Sequence, residues 1–331
     1  MNQKKGFFGK LFSMEFALVG VLLVVLAVFS LAIGEAFYMP YNLMNILKSA
    51  GSIGIMVLGL TWVIGANEMD CSFPEVASCA SMIFALMLNA KQDPVVSMLA
   101  ALAAGLGFGA LTSLLVVKFH FHSLITTIAV STIAGAIANI VYNGSVLSIK
   151  RLNSTNLYKF FGQSVGGFPI VFIIALALFI IAYLVQEKTK FGQYIYALSE
   201  NRQAVTEAGV KAGRVLTATF MLSSFFAAFG GVIYVLTVYK SGQPSMGSSF
   251  FLNGFTIVFL GAMALKLGKA NVVGTFIGAL VLSSLTSGLT MLGSGFAVGQ
   301  VIKGLLLIMG VAVVTIYRRK IVPKGSKMKY E

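Results

Sequence analysis

Long apolar stretches alternate with short polar breaks along the whole chain. A helix needs roughly 20 apolar residues to cross a bilayer core, and ten stretches of about that length or somewhat shorter recur here. They are continuously apolar, which favours helices, because the strands of a membrane barrel would alternate over about ten residues. The pattern therefore predicts an all-α integral membrane protein, a polytopic bundle of about ten transmembrane helices that forms one domain over residues 1–331. The predicted spans are 15–33, 50–64, 76–89, 95–117, 123–142, 167–186, 215–238, 251–265, 271–290 and 299–317.

The composition agrees with a membrane protein. Hydrophobic residues make up 58% of the chain, charged residues only 10%, and the mean hydropathy is +0.92, whereas about 25% of the residues in a soluble domain are charged. No polar stretch between the spans is long enough to form a soluble domain. Cys71 and Cys79 have no neighbouring histidine pattern, so neither a disulfide framework nor a zinc or other metal site is predicted.

The positive charge lies at the ends of the apolar stretches. The formal net charge is +14, which is also typical of proteins that bind nucleic acid. With ten alternating spans, however, 17 of the 24 Lys and Arg residues fall on the side of the N-terminus, and the other seven, including Lys150 and Arg151, fall opposite. Because basic residues favour the cytoplasmic side, both termini and the basic tail at 318–331 are predicted to be cytoplasmic. Membrane lipid, and not nucleic acid, is the expected partner of this charge.

Small residues recur at close spacing in two predicted spans. Gly105 and Gly109 are four residues apart, and so are Gly274 and Gly278. This spacing puts two glycines on one helix face and lets a neighbouring helix approach closely in lipid. We therefore interpret both pairs as helix-packing sites.

The connection at 187–214 is too polar to cross a membrane. Residues 200–208 are compatible with a short helix, and Gly209 after them is a natural helix stop. A short amphipathic helix between two spans is either a solvated loop or a docking element held by a partner. Composition alone favours the solvated loop.

The motifs of this connection change that interpretation. Residues 189–210, TKFGQYIYALSENRQAVTEAGV, resemble the cytoplasmic loop of ribose-type permeases of bacterial ABC importers, whose pattern is close to TxFGxxIYAxGxNxxAAxxxGI. In that family the loop inserts into a cleft of the cytoplasmic ATPase, so the resemblance implies that residues 187–214 form a coupling loop. The implied coupling residues are Phe191, Gly192, Glu200, Asn201, Ala204, Ala208 and Gly209.

The likeness covers roughly residues 50–317. It continues through SGQP at 241–244, GTFIGAL at 274–280 and QVIKG at 300–304. It implies a permease subunit, not an enzyme, in the bacterial inner membrane. The implied partners are a cytoplasmic ABC ATPase, an extracytoplasmic solute-binding protein and a second permease copy or paralogue, and the implied solute is a monosaccharide or a sugar-like compound.

One turn departs from the family pattern. Where the family has a GGTSLxGGxG stretch, this chain has GAMALKLGKAN, with Met263, Lys266 and Lys269 in place of polar residues and glycines.

The break at 65–75, within the stretch GANEMDCSFPEV at 65–76, is the second candidate site. It resembles the family's GGxDLSxG segment, in which Gly65, Asp70 and Ser72 align. Ionisable groups at membrane depth are costly unless they are paired or wet, and Pro74 interrupts helix hydrogen bonding, so a broken or re-entrant segment is predicted here. The candidates for lining the solute path are Asn67, Glu68, Asp70, Ser72 and Glu75.

Two other interpretations of this break stay open. Plain alternation of ten spans places its carboxylates at the cytoplasmic membrane surface, and the same side chains are also able to hold the backbone of the loop itself.

Other classes of function have less support in the sequence. An ion- or proton-coupled secondary transporter would use Glu68 and Asp70. For an intramembrane enzyme, the sequence offers no paired His/Glu ligand helix and no serine nucleophile motif. No GxxxxGK[ST] loop is present, so the chain is expected to bind no cofactor itself and to depend on ATP used by the partner ATPase. His120 and His122 alternate with phenylalanines, which favours interfacial anchoring over a proton relay.

Overall fold

The computed structural model describes residues 17–266 and 268–321, which contain fourteen α-helices and four two-residue strands. Short π-helical turns, Leu114–Lys118 and Val235–Tyr239, extend the helices that end at Ser113 and Tyr234. The start of the first predicted span and the predicted tail beyond residue 321 lie outside the described residues. The strands are β1 (Leu147–Ser148), β2 (Ser164–Val165), β3 (Phe168–Pro169) and β4 (Ser241–Gly242). The helices are α1 (Ala17–Ile33), α2 (Glu35–Tyr38), α3 (Pro40–Gly65), α4 (Phe73–Asn89), α5 (Pro94–Ser113), α6 (Ser123–Val141), α7 (Asn156–Gly162), α8 (Ile170–Lys188), α9 (Lys190–Glu200), α10 (Arg202–Glu207), α11 (Ala212–Tyr234), α12 (Met246–Gly261), α13 (Val272–Met291) and α14 (Phe296–Ile321).

Seven of these helices are long and apolar enough to cross a membrane. They are α3, α5, α6, α8, α11, α13 and α14. Three shorter apolar helices, Leu18–Ile33, Phe73–Asn89 and Ser249–Gly261, coincide with the other three predicted spans. The protein is thus a polytopic helical membrane protein, as the hydropathy pattern predicts.

Two predicted boundaries are wrong. The connection predicted at 34–49 is mostly helical, because α3 begins at Pro40 and runs for 26 residues. Polar residues such as Asn42 and Lys48 lower the hydropathy of its first turns. Proline is favourable at a helix start, because the backbone N–H that it lacks would have no hydrogen-bond partner within the helix there. For the same reason Pro74 lies in the first turn of α4 and begins that helix instead of breaking it. The non-helical break is therefore limited to residues 66–72.

Helix α11 lies at the centre of the bundle and packs mainly against α3, α5 and α4. Glycines bring the backbones together. A Cβ at Gly59 of α3 would overlap the backbone of Ser223 in α11, and Gly105 and Gly109 of α5 likewise lie against α11. Gly274 of α13 meets Gly261 of α12 in the same way. The interpretation of these small residues as packing sites is confirmed.

The connections gather at two ends of the bundle. We call the end that carries α9 and α10 the loop end; the α5–α6 and α12–α13 connections also lie there. At the opposite end, which we call the far end, β1 pairs antiparallel with β4, with Leu147 opposite Gly242. The Asn89 side-chain amide donates to the Ser148 carbonyl over 2.8 Å at the far end.

Candidate functional site

Helix α9 is anchored to the bundle. Ile195 and Leu198 are buried, and the ring of Phe191 packs edge-on against Trp62 of α3, with 5.9 Å between centroids. A Cβ at Gly192 would overlap the carbonyl group of Gln186, so only glycine allows α8 to turn directly into α9. Of the predicted coupling residues, Phe191 and Gly192 therefore fix the base of the loop.

Helix α10 is short, with a defined cap at each end. Asn201, which precedes it, accepts a hydrogen bond from the Ala204 N–H over 3.0 Å, as N-cap residues do. At the other end Gly209 has φ +81°, and the Val210 N–H reaches the Val205 carbonyl over 3.2 Å in a Schellman motif. The helix predicted at 200–208 is thus present as Arg202–Glu207, and Glu200 is the last residue of α9.

The two helices differ in exposure. Val205 is the buried residue of α10, whereas Ala204 and Ala208 are exposed. Helix α9 therefore fixes the loop to the bundle, while α10 is exposed at the loop end, where Ala204 and Ala208 lie among the longer exposed side chains of Arg202, Gln203 and Glu207.

Among the residues that the structure describes, three ion pairs connect this loop to other parts of the loop end. Arg202 of α10 lies 3.2 Å from Glu68 of the break. Lys266 and Lys269, on the α12–α13 connection, pair with Glu187 and Glu200. In the sequence, both lysines were departures from the family pattern, and their pairing with the loop was not predicted. Their charge, opposite to that of the acidic residues of 187–214, was the one feature that pointed to such pairing.

A cleft of about 930 Å³ opens at the loop end between the break, the α5–α6 connection and α10. Asn67 and Glu68 line it from one side. Asn67 has a positive φ of 62° at the point where the chain leaves α3. These two predicted path residues thus face a space that is also lined by the loop at 187–214.

Residues 66–72 turn back into the bundle without forming a helix. Their backbone is held by side chains of α6: the Met69 N–H donates to Ser123 Oγ over 3.3 Å, and the Cys71 N–H donates to Thr127 Oγ1 over 3.0 Å. Non-helical backbone inside a membrane protein needs such partners, because lipid offers none. Neither Ser123 nor Thr127 was predicted, since nothing in their local sequence distinguishes them from other hydroxyl residues on spans.

Asp70 is held by protein groups on both carboxylate oxygens. Its Oδ1 accepts from the Ser72 N–H over 2.8 Å and from the Ser72 hydroxyl over 2.6 Å. Its Oδ2 accepts from the Ser223 hydroxyl of α11 over 2.6 Å. Asp70 is 1% exposed and Ser72 is fully buried. In this conformation Asp70 and Ser72 hold the backbone of the break.

Glu75 lies apart from the break. It is in the first turn of α4, half-buried, with its carboxylate close to Gly135 of α6 and Gly247 of α12. The five predicted path residues therefore do not form one site: two line the loop-end cleft, two are interior, and Glu75 lies between α4, α6 and α12.

Comparisons with known proteins cover nearly the whole chain. Residues 42–311 match the family described as branched-chain amino acid transport system/permease component. The chain is 29% identical over 310 residues to the ribose import permease protein RbsC of Escherichia coli. The alignment covers 93% of this chain and 95% of that protein. It is 27% identical over 277 residues to the xylose/arabinose import permease protein XylH of Sulfolobus acidocaldarius. That alignment covers 82% of this chain and 76% of that protein.

A solved structure supports the same fold. The inward-facing conformation of a putative metal-chelate type ABC transporter aligns with a TM-score of 0.50 and 16% identity, over 93% of this chain and 99% of that chain. At such low identity the likeness concerns the fold alone. The match over residues 42–311 confirms the resemblance found in the motifs: the chain belongs to the family described as branched-chain amino acid transport system/permease component.

Proposed function

We propose that this chain is the membrane-spanning subunit of an ATP-driven importer for a monosaccharide or sugar-like solute. The observation that carries the proposal is the similarity over nearly the full chain to proteins named ribose and xylose/arabinose import permeases. The chain itself does no hydrolysis and holds no cofactor. A separate cytoplasmic ABC ATPase uses the ATP.

Ten helices cross the membrane. The three shorter apolar helices, α1, α4 and α12, complete an alternating path with the seven longer ones. Helix α4 is short because the break at 66–72 already carries the chain part of the way into the bundle. Alternation over ten helices puts both termini on the side of the loop end, and the excess of Lys and Arg there supports a cytoplasmic loop end in the inner membrane.

Helix α10 receives the motion of the ATPase. The exposed Ala204 and Ala208 allow close docking, and the caps at Asn201 and Gly209 keep the helix intact under load. Movement of α10 is passed on to α9, whose Phe191 and Gly192 fix it to α3 and α8. Closure of the ATPase dimer then rocks these helices and opens the solute path in turn to each side.

The remaining partners follow from the importer class. A second permease copy or paralogue completes the transport path. An extracytoplasmic solute-binding protein delivers the solute to the far end and supplies much of the selectivity.

A secondary transporter using Glu68 and Asp70 has no specific support. Glu68 is paired with Arg202, and both oxygens of Asp70 accept hydrogen bonds from serines. A proton or cation carrier needs a carboxylate that exchanges with the transported ion. No observation on the described residues favours this alternative.

The direct test is transport by the reconstituted complex. The chain, its ATPase and its binding protein are placed in proteoliposomes, and uptake of labelled ribose, xylose and arabinose is measured with and without ATP on the ATPase side. We expect uptake of at least one sugar that needs ATP and the binding protein. Uptake driven by a proton or sodium gradient without ATP would overturn the proposal.

A further inference from the structure

Two lysines outside the coupling loop hold one of its aromatic side chains between them. Lys266 Nζ contacts both carboxylate oxygens of Glu187, at 2.5 and 2.7 Å, and lies 4.4 Å from the centre of the Tyr196 ring. The Tyr196 hydroxyl donates to the same Glu187 carboxylate over 3.3 Å. Lys266 therefore contacts the end of α8 and the middle of α9 together.

The second lysine contacts the C-terminal end of α9. Lys269 is paired with Glu200 and lies 5.5 Å from the centre of the Tyr196 ring. Tyr196 thus has a cation near its ring from each lysine, an arrangement that attracts both cations to the ring. Burial and the neighbouring Glu187 raise the pKa of the Tyr196 hydroxyl, so it stays protonated and keeps its role as a donor.

The lysines project from a connection that is itself firmly held. Asn271, 4% exposed, donates to the Ala264 carbonyl over 2.8 Å and accepts from the Gly274 N–H over 2.8 Å. The Val272 N–H donates to the buried Gln186 side chain over 2.8 Å. The α12–α13 connection is therefore tied to the start of α13 and to the end of α8.

We propose that Lys266 and Lys269 are positioning residues that fasten the coupling loop to the α12–α13 connection. Motion of α10 then reaches α12 and α13 directly, besides reaching α8 and α11 through the chain. The inference rests on the proposed function, because it assumes that α10 is moved by the ATPase.

Two facts argue for coupling over simple stabilisation. Lys266 is 41% and Lys269 35% exposed, and ion pairs at such exposure add little to stability. Their geometric effect is larger, since they join two connections that are far apart in the chain.

The test is a charge swap with a matched control. Three variants are each reconstituted with the ATPase and binding protein. They are Lys266→Glu, the charge swap Lys266→Glu with Glu187→Lys, and the control Lys118→Glu. Lys118 is exposed at the loop end in the α5–α6 region, so the control makes the same charge change. Sugar uptake per ATP hydrolysed, ATPase co-purification and melting temperature are measured.

We expect Lys266→Glu to lower uptake per ATP at least about fivefold, the lower end of typical coupling effects. ATPase binding and melting temperature should stay at parental values, and the swap should restore most of the loss. If Lys266→Glu matches Lys118→Glu, the inference is overturned while the proposed function stands. If the parent shows no ATP-dependent uptake, the proposed function fails and the inference with it.

If Lys266→Glu does not reach the membrane, milder variants that only remove the charges test the same inference. Lys266→Gln, Glu187→Gln and their double variant form a mutant cycle. The inference requires the double variant to be no worse than either single one in uptake per ATP. Additive losses would contradict it.

Discussion

The Ser223 hydroxyl of α11 donates a 2.6 Å hydrogen bond to the carboxylate of Asp70 in the break at 66–72. Ser223 lies eleven residues after Ala212, the first residue of α11, which is about 16 Å along the helix axis. A carboxylate is therefore held well inside the bundle, where it is costly unless its oxygens are satisfied. The bond joins the break to the central helix and fixes how far the chain re-enters the bundle.

Substitution of Asp70 separates a holding role from a solute-path role. If Asp70 holds the break, Asp70→Asn should be tolerated, because the amide oxygen still accepts from Ser72 and the amide group is able to donate to the Ser223 hydroxyl. Asp70→Ala should destabilise the protein by roughly 1–3 kcal/mol, since it leaves buried donors unpaired. The measurements are the melting temperature in detergent and sugar uptake. Loss of uptake by Asp70→Asn at an unchanged melting temperature would instead assign Asp70 to the path.

The α12–α13 contact depends on a glycine that has no room for a side chain. A Cβ at Gly274 would overlap the carbonyl of Gly261, whereas nothing lies within 4 Å of a Cβ at Gly304 of α14. Gly274→Ala should therefore cost about 1–3 kcal/mol through overpacking, and Gly304→Ala should be neutral or slightly stabilising because it favours the helix. Thermal unfolding of the two variants checks this. Equal melting temperatures would show that the contact is looser than described.

The sequence allowed the class of fold and the short helix before Gly209 to be predicted, because both depend on local pattern. Apolar runs locate helices such as α8, and a polar stretch ending at Gly209 marks α10. The start of α3 was missed because Asn42 and Lys48 interrupt an otherwise apolar stretch. The contacts of Asp70 with Ser223 and of Lys266 with Glu187 were not predictable, since they join residues 153 and 79 positions apart. Only packing of the helices brings such pairs together.

The C-terminal cap of α10 gives a test of its helical structure. Gly209 has φ +81°, a conformation that costs a residue with a branched side chain about 1–2 kcal/mol and that asparagine accepts more readily. Gly209→Val should unwind the end of α10 and impair ATP-driven uptake, while Gly209→Asn should retain most of it. Uptake and membrane level are measured together for both. Equal uptake by the two variants would mean that the cap does not matter for coupling.

The orientation of the bundle is testable by labelling from each side. Asn153 is exposed at the far end, and Gln203 is exposed on α10 at the loop end. Cysteines introduced one at a time at these positions should react with an impermeant reagent from opposite sides, Gln203→Cys from the cytoplasm. The native Cys71 and Cys79 are buried and should contribute little background. Labelling of both positions from the same side would overturn the ten-helix map.

The central claim, that ATP hydrolysis drives transport through α10, is tested most directly by a bulky residue on its exposed face. Ala204→Trp adds volume at the proposed docking position of the ATPase, while the control Ala90→Trp adds it at an exposed alanine of the far end. Well-packed interface positions cost about 2 kcal/mol or more when disrupted, so ATPase binding by Ala204→Trp should weaken more than about tenfold. The measurement is ATP-driven sugar uptake in proteoliposomes containing equal amounts of inserted permease. We expect loss of uptake by Ala204→Trp and parental uptake by Ala90→Trp; parental uptake by Ala204→Trp would contradict the claim that transport is driven through α10.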